Sequence, residues 1–325
     1  MRREILFMAP DYYGFNEVVY DGFVNYGNGN VQNIVLNESY KYKNLLERFE
    51  NFFSKLFFNK NLKTIKAQKE LTARLENLQY TDFIIINRHD LLTVAQLQIL
   101  KQKTSNLFCI LWDSLQKIPQ QENNLNVFDK VFSFDPQDCL ENGFLKIDNF
   151  YFIKYSKPST PKYKVSYLGT IDNRTETLIK FFEYFNRKNI PSFAKLYIYK
   201  SELSKVKTVL PENIQFFHQI IPFRESHQIY IESEIILDLV HEHQRGVSFR
   251  PFEALGLRKK LITNNPEILK YDFYNPSNIL YINTSEDISI PESFIESEYE
   301  DVNETIYEKY YIRNWVSKIL SYHES

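Results

Sequence analysis

An α/β protein of two doubly wound domains is expected from three features of this 325-residue chain. Short apolar runs alternate with helix-spaced segments through both halves, the pattern of βαβ units on parallel sheets. The length exceeds what one hydrophobic core usually serves. A stretch of Ser, Pro and Lys without periodicity, Tyr155 to Lys164, divides the chain near its middle. The expected units are therefore residues 1–154, residues 164–300 and a terminal helical segment over 301–325.

The first residues, MRREILFMAP, place charges ahead of only a few apolar side chains. That is too short for a signal-peptide core or a spanning helix, so the segment reads as a first strand at Ile5–Met8. Asn33–Leu36, Phe83–Ile86, Leu107–Leu111 and Lys130–Phe134 follow as further strands. Ligands of such sheets bind beyond the carboxyl ends of strands, so the loops opening at Pro10, Asn87 and Trp112 should line a cleft. They carry Asp11, Tyr12, Tyr13, Gly14, Glu17, Arg88, His89, Asp90 and Asp113. A general base is sought among these, Asp11, Glu17 or His89, although capping and solvation are the ordinary uses of such residues.

Between Tyr42 and Lys69, Leu45, Leu46, Phe49, Phe52, Phe53, Leu56 and Phe57 recur at helical spacing, with Lys55, Lys60, Lys63, Lys66 and Lys69 around and after them. Packing of the stripe on its own sheet, lysines outward, is the preferred reading. Contact with an anionic membrane leaflet is the alternative. Asp135 and Asp138, in VFSFDPQDCLENGF, are read as turn and cap residues, not as metal ligands.

The second half restarts with VSYLGTIDNRTETLIKFFEYFNRK, a strand, a glycine at Gly169 and an amphipathic helix preceded by Arg174. Strands at Lys195–Tyr199 and Ile214–Phe216 follow, and Tyr230 and Ser233 are assigned to packing and capping. Ile235 to Val240 is apolar apart from Asp238, and Lys260 to Thr263 is a second inner strand. Between them Gly246 suits a turn closed to residues with a Cβ, Ser248 suits a helix cap and Pro251 a first-turn position. Ser248, Phe249 and Arg250 then stand at a helix amino end, an anion site to which Arg250 adds a guanidinium fork. Glu253, one turn inside, is placed to accept hydrogen bonds from hydroxyls. The tail, Val302 to Leu320, has helical spacing through Ile306, Tyr310, Tyr311, Trp315, Val316 and Ile319.

The string GVSFRPFEALGLRKKLIT, from Gly246 to Thr263, resembles the donor-binding segment of GT-B glycosyltransferases. With ILDLVHEHQRG before it and NNPEILKYDFYNPSNILYI after it, it is similar to a bacterial branch that builds lipopolysaccharide or capsule. The resemblance implies two Rossmann-like domains facing a cleft, with a last helix crossing back to the first domain, where Trp315 either helps hinge the domains or anchors a core. It implies that Glu253 holds the ribose of a nucleoside-diphosphate sugar and that the turn before it faces the diphosphate. Gly169 and Arg174 match donor-phosphate positions, and Gln219, Ile220 and Ile221 match the loop that frames the base. His241 would reach sugar or phosphate, while Lys259 or Lys260 would add charge near the leaving group. Asp11, Glu17 or His89 would activate the acceptor, a glycan or lipid-linked glycan. Retaining relatives often carry a second glutamate eight positions before the first; here that position is Arg245, which leaves the stereochemical outcome open.

Composition fits such an enzyme. A net charge of −2 gives no electrostatic support for nucleic-acid binding. Cys109 and Cys139 lack a metal spacing and read as reduced, buried thiols, and His241 and His243 lack a third ligand, so neither a metal nor a resident cofactor is expected. The expected location is cytoplasmic, with peripheral contact at the inner membrane face if the acceptor is lipid-linked. Two alternatives stay open: a GT-B-shaped binding protein without turnover, and a transferase of sugar phosphate or polyol phosphate.

Overall fold

The computed structural model describes residues 2–38, 40–58, 60–155, 160–201, 203 and 210–322. The first half forms a six-stranded parallel sheet from β1 (Arg3–Ala9), β2 (Gly29–Val35), β3 (Phe83–Ile86), β4 (Leu107–Leu111), β5 (Lys130–Ser133) and β6 (Leu145–Lys146), in the order β2-β1-β3-β4-β5-β6. Helices α1 (Phe15–Tyr26), α2 (Leu45–Phe58), α3 (Leu62–Glu76), α4 (Val94–Lys101) and α5 (Pro136–Asn142) connect the strands. β3 and β4 are buried at every position, which is why they read as unbroken apolar runs: helices cover both faces of a parallel sheet. Gly14, at φ 72°, turns the chain from β1 into α1, and Thr93 and Gln96 close a reciprocal capping box on α4.

The second half repeats the plan with β7 (Tyr163–Thr170), α6 (Thr175–Arg187), β8 (Ser192–Tyr197), β9 (Ile214–Phe217), α7 (His227–Tyr230), β10 (Ser233–Asp238), α8 (Phe249–Gly256), β11 (Lys260–Thr263), β12 (Ile279–Tyr281), α9 (Glu292–Glu296) and α10 (Glu304–Lys309). Its parallel sheet runs β12-β11-β10-β7-β8-β9. Of the dividing segment read from the sequence, residues 156–159 lie outside the described residues.

The chain then returns. α11 (Ile312–Ser321) buries Ile312, Trp315, Val316, Ile319 and Leu320 in the core of the first domain, beside Phe7, Phe23 and Phe150. The Trp315 ring lies 4.8 Å from Phe150 and stacks on Trp112 at 5.9 Å, so it anchors the returning helix in that core. Where the chain crosses, Tyr151 N–H donates to the Tyr310 carbonyl (3.0 Å) and Ile312 N–H to the Tyr151 carbonyl (2.9 Å).

One expectation is corrected. The segment from Tyr42 to Lys69 forms two helices, and Leu46, Phe49, Phe52 and Phe53 of α2 are exposed instead of packed on the sheet. Glu47, Asn51 and Ser54 of α2 face inward in their place. The side chains of Leu45, Leu56 and Phe57, also part of the expected stripe, lie outside the described residues.

Candidate functional site

The second sheet reverses its winding between β7 and β10, and the crevice beyond such a switch point is where open parallel sheets take ligands. A cavity of about 410 Å³ lies there, of a size suited to a small-molecule ligand. Leu168, Gly169 and Thr170 enter it from β7, Ser248, Phe249, Arg250 and Glu253 from the start of α8, and Ile220, Ile221, Ser226 and Tyr230 from the chain before β10. Tyr13 and Lys117 reach in from the first domain. Phe15 closes the seam between domains, its ring 4.9 Å from Phe249 and 5.2 Å from Phe223.

Arg250 organises one wall. Its Nε donates to the Tyr230 hydroxyl (3.0 Å), Nη1 to Asp238 Oδ1 (3.2 Å) and Nη2 to the Leu168 carbonyl, and its guanidinium lies 5.1 Å over the Tyr167 ring. Burial opposes this charge, but Tyr230, Tyr167 and Asp238 outweigh it and hold Arg250 above its ordinary pKa. Asp238 also accepts from Ser248 Oγ (3.1 Å) and Thr263 Oγ1 (2.9 Å). A cation and two hydroxyls thus compensate a carboxylate buried at the end of an apolar strand. One expectation changes as a result: Ser248 donates to Asp238 and makes no side-chain cap. Arg250 lines the cavity with its guanidinium held by Tyr230, Asp238 and Leu168.

Glu253 is 7% exposed. Ser226 Oγ lies 2.5 Å from Glu253 Oε1 and 2.7 Å from the Phe223 carbonyl oxygen. One hydroxyl hydrogen serves one acceptor, so a protonated Glu253 donating to Ser226, which in turn donates to Phe223, satisfies both contacts. Burial pushes Glu253 up to about 7, against the pull of Ser226 and Arg250.

Two other cations face the cavity. Arg174 is held by Asp172 (Nη2–Oδ2 2.5 Å) and donates through Nη1 to the Leu239 carbonyl (3.3 Å). Burial raises Asp172, but the Arg174 guanidinium overrides it and holds Asp172 below its ordinary value. Lys117 Nζ lies 2.6 Å from Asp113 Oδ1, which also accepts from Gln244 Nε2 of the second domain (2.6 Å).

The remaining sequence candidates fall in several places. Gln219 is exposed and outside the lining, whereas Ile220 and Ile221 are in it, with Tyr197 and Phe217 forming an edge-to-face pair at 5.6 Å on the same side. His241 is half-buried outside the lining; burial, then Lys117 and Arg174, push its pKa below the ordinary value. Gly246 has no positive φ; a Cβ there would meet the Phe134 ring at 2.5 Å and its carbonyl oxygen at 2.7 Å. Close approach of the two domains, not a left-handed turn, therefore explains this glycine. Arg245 faces the first domain, where its N–H donates to Asp135 Oδ2 (3.3 Å).

His89 does not face the cleft. It is buried, with Nε2 against the Asn123 carbonyl (2.9 Å), Nδ1 3.4 Å from Cys109 Sγ, and a pKa pushed down by burial. Arg88, at φ 60°, turns the chain just before it. Lys259 and Lys260 are also corrected: they stand at the opposite end of the sheet, Lys259 donating to the Ser233 carbonyl (2.5 Å) and Lys260 to the Ser297 carbonyl (2.7 Å). Glu17 is exposed on the first turn of α1. Asp11 lies two residues before Tyr13, and its Oδ1 is buried with no hydrogen-bond partner among the described residues. Cys109 is buried and Cys139 half-buried, both as free thiols. Among the described residues no group of three or more His, Cys, Asp or Glu is arranged to hold a metal ion.

Sequence reasoning missed Lys117, Ser226 and the role of Tyr230. The one available signal was Asp238, whose charge in an apolar strand requires a buried partner.

No protein-family model matches the sequence, and no curated protein matches it. Solved structures do match. The lipopolysaccharide outer core galactosyltransferase WaaB, in its apo form, superposes with a TM-score of 0.59 at 13% identity, covering 98% of this chain and 99% of that one. An alpha-glucosyltransferase in complex with UDP gives 0.56 at 12% identity over 98% and 95% of the two chains. A glycosyltransferase from Rickettsia africae ESF-5 gives 0.56 at 11% identity over 100% and 98%. Two parallel six-stranded sheets, a ligand-sized crevice at the switch point of the second and a helix returning to the first give this chain the GT-B fold.

Proposed function

We propose that the protein is a glycosyltransferase that moves a sugar from a nucleoside-diphosphate sugar to a growing bacterial surface glycan, lipopolysaccharide, capsule or a related polymer. The carrying observation is the cavity between β7 and β10, where Gly169, Arg174, Glu253 and the amino end of α8 face one space. Glu253 orients the donor through its ribose hydroxyls. Tyr197, Phe217, Ile220 and Ile221 offer the base an apolar wall. As the anomeric C–O bond breaks, charge grows on the leaving diphosphate, and the free amides of α8, Arg174 and Lys117 meet it. The acceptor hydroxyl oxygen bonds the anomeric carbon and gives its proton to a base. Asp11, on the loop that delivers Tyr13, keeps an uncommitted carboxylate oxygen for that role.

The UDP held by the similar alpha-glucosyltransferase supports a uridine nucleotide as the first donor to try, and WaaB supports a surface-glycan acceptor. Related alpha-glucosyltransferase structures carry DNA; a chain of net charge −2 has no excess of cations for such a polyanion, which favours a glycan. The reading includes a cytoplasmic location. No helix among the described residues is long and apolar enough to cross a membrane.

A thermal-shift series against UDP, GDP, CMP and their sugars tests the site. A ligand present at about a hundred times its Kd stabilises by about 2.7 kcal/mol, a measurable rise in Tm. The rise should vanish in Glu253→Ala; absence of any shift across the series would remove the donor site.

A further inference from the structure

On helix α2 the polar side chains of Glu47, Asn51 and Ser54 face the protein, while the large apolar side chains of Leu46, Phe49, Phe52 and Phe53 face solvent. Asn51 and Ser54 are 4% and 9% exposed, while Leu46, Phe49, Phe52 and Phe53 are 71%, 60%, 60% and 51% exposed. At roughly 100° per residue, positions 46, 49, 52 and 53 share one face and positions 47, 51 and 54 the opposite one. Specific bonds fix this orientation. Glu47 accepts from the Tyr40 hydroxyl (2.9 Å) and lies 3.0 Å from Lys66 Nζ of α3. Asn51 donates to the Tyr42 hydroxyl (2.6 Å) and accepts from Lys63 N–H (3.2 Å). A helix that met only water would place the two classes the other way round.

The charge around this face selects its partner. From Lys41 to Lys69 there are eight Lys or Arg and two Glu, a local charge of +6 in a chain of −2, so the remainder carries −8. Arg48 and Lys55, seven residues apart, run along one flank of the apolar stripe, and Lys60 and Lys69 are exposed beyond it. A second copy docking this face on itself would oppose two such positive sets, whereas an anionic surface answers both features at once.

We infer that α2 lies flat on an anionic lipid bilayer, with Leu46, Phe49, Phe52 and Phe53 at the boundary of headgroups and acyl chains and the surrounding cations against lipid headgroups. Apolar burial supplies depth, and the cations supply selectivity for anionic lipid and sensitivity to salt. This face lies on the first domain and does not rest on the donor-site reading; it would bring the cleft to acceptors carried by lipid.

The test uses the full chain with vesicles of phosphatidylcholine alone and of phosphatidylcholine mixed with phosphatidylglycerol, with binding read by co-sedimentation at low and high salt. The expected result is binding to the mixed vesicles only, weakened by salt, and equal in Glu253→Ala. Phe49→Ser combined with Phe52→Ser should lower partitioning roughly tenfold or more, and Lys55→Gln and Lys60→Gln about fivefold each. These positions are exposed, so unchanged thermal unfolding checks that the fold is kept. No binding to the mixed vesicles, or equal binding by the double Phe variant, would overturn the inference. So would a lipid-free dimer, seen by light scattering, that the double Phe variant dissolves. Persistence of vesicle binding in a protein that fails every nucleotide test would leave this inference standing and remove only the donor reading.

Discussion

Substituting Glu253 by Gln should stabilise the free protein above neutral pH while removing its donor binding. Burial lifts this carboxyl from 4.5 to about 7. A group whose proton is held more tightly in the folded chain favours folding below its unfolded value, and that contribution is lost as pH rises through the folded value. The window therefore runs from about 4.5 to about 7. A rise of roughly 2.5, at about 1.36 kcal/mol for each pH unit, makes the ionised side chain cost on the order of 3 kcal/mol above the window. Gln keeps the shape, has no charge to desolvate, and its amide can donate to Ser226 where the protonated acid did. The assay is thermal unfolding of both proteins at a series of pH values from acidic to mildly alkaline. The curves should converge at the acid end and separate above neutrality, with the variant higher by several degrees, since 1 kcal/mol moves Tm by about 2–4 °C in domains of this size. Nucleotide-sugar affinity should move the opposite way, because an amide offers one acceptor oxygen where the carboxylate offers two. Parallel curves, or a variant less stable in alkali, would refute the claim that the site holds a carboxyl strained by burial.

Other perturbations separate the cavity from its frame. Lys117→Ala should lower transfer by roughly a hundredfold in kcat, as removal of one charge-stabilising donor does, with a smaller change in donor affinity; a loss confined to binding would reassign Lys117 to ground-state contact. Gly246→Ala drives a Cβ into the Phe134 ring and carbonyl, and should cost about 1–3 kcal/mol by overpacking the seam between domains, read as a lower Tm. His89→Leu should cost a similar 1–3 kcal/mol by stranding the Asn123 carbonyl, yet leave kcat unchanged in folded enzyme; a selective loss of kcat would return His89 to the list of catalytic groups.

Most of the fold was legible because parallel strands covered on both faces must be continuously apolar. Phe83–Ile86, Leu107–Leu111 and Lys260–Thr263 therefore announce themselves at their observed bounds. The edge strand β2 begins at Gly29, four residues earlier than expected, because its first five residues, Gly-Asn-Val-Gln-Asn, pair with β1 without an apolar run, with Asn30 also donating to Glu4 Oε2 (2.9 Å). The start of α8 was legible because Ser248, Phe249, Arg250 and Glu253 are contiguous. The state of Arg250 was not: its partners, Leu168, Tyr230 and Asp238, converge only in the folded chain. Lys117 lies in an irregular segment and reaches the cavity through the packing of one domain on the other, which no local pattern encodes. His89 was misplaced because a strand-end motif does not say which way a ring turns once Arg88 adopts φ 60°. For α2 the periodicity was legible but its direction was not, since the choice between faces was made by the bonds of Glu47 and Asn51 to tyrosines and α3.

The most direct test of the central claim is the nucleotide released when the protein is incubated with UDP- and GDP-sugars, with and without glycan acceptors. The expected result is release of a nucleoside diphosphate from at least one donor, abolished in Glu253→Ala and reduced in Lys117→Ala. Release of a monophosphate would instead point to transfer of a sugar phosphate, and tight donor binding with no release of either would contradict catalysis at this site.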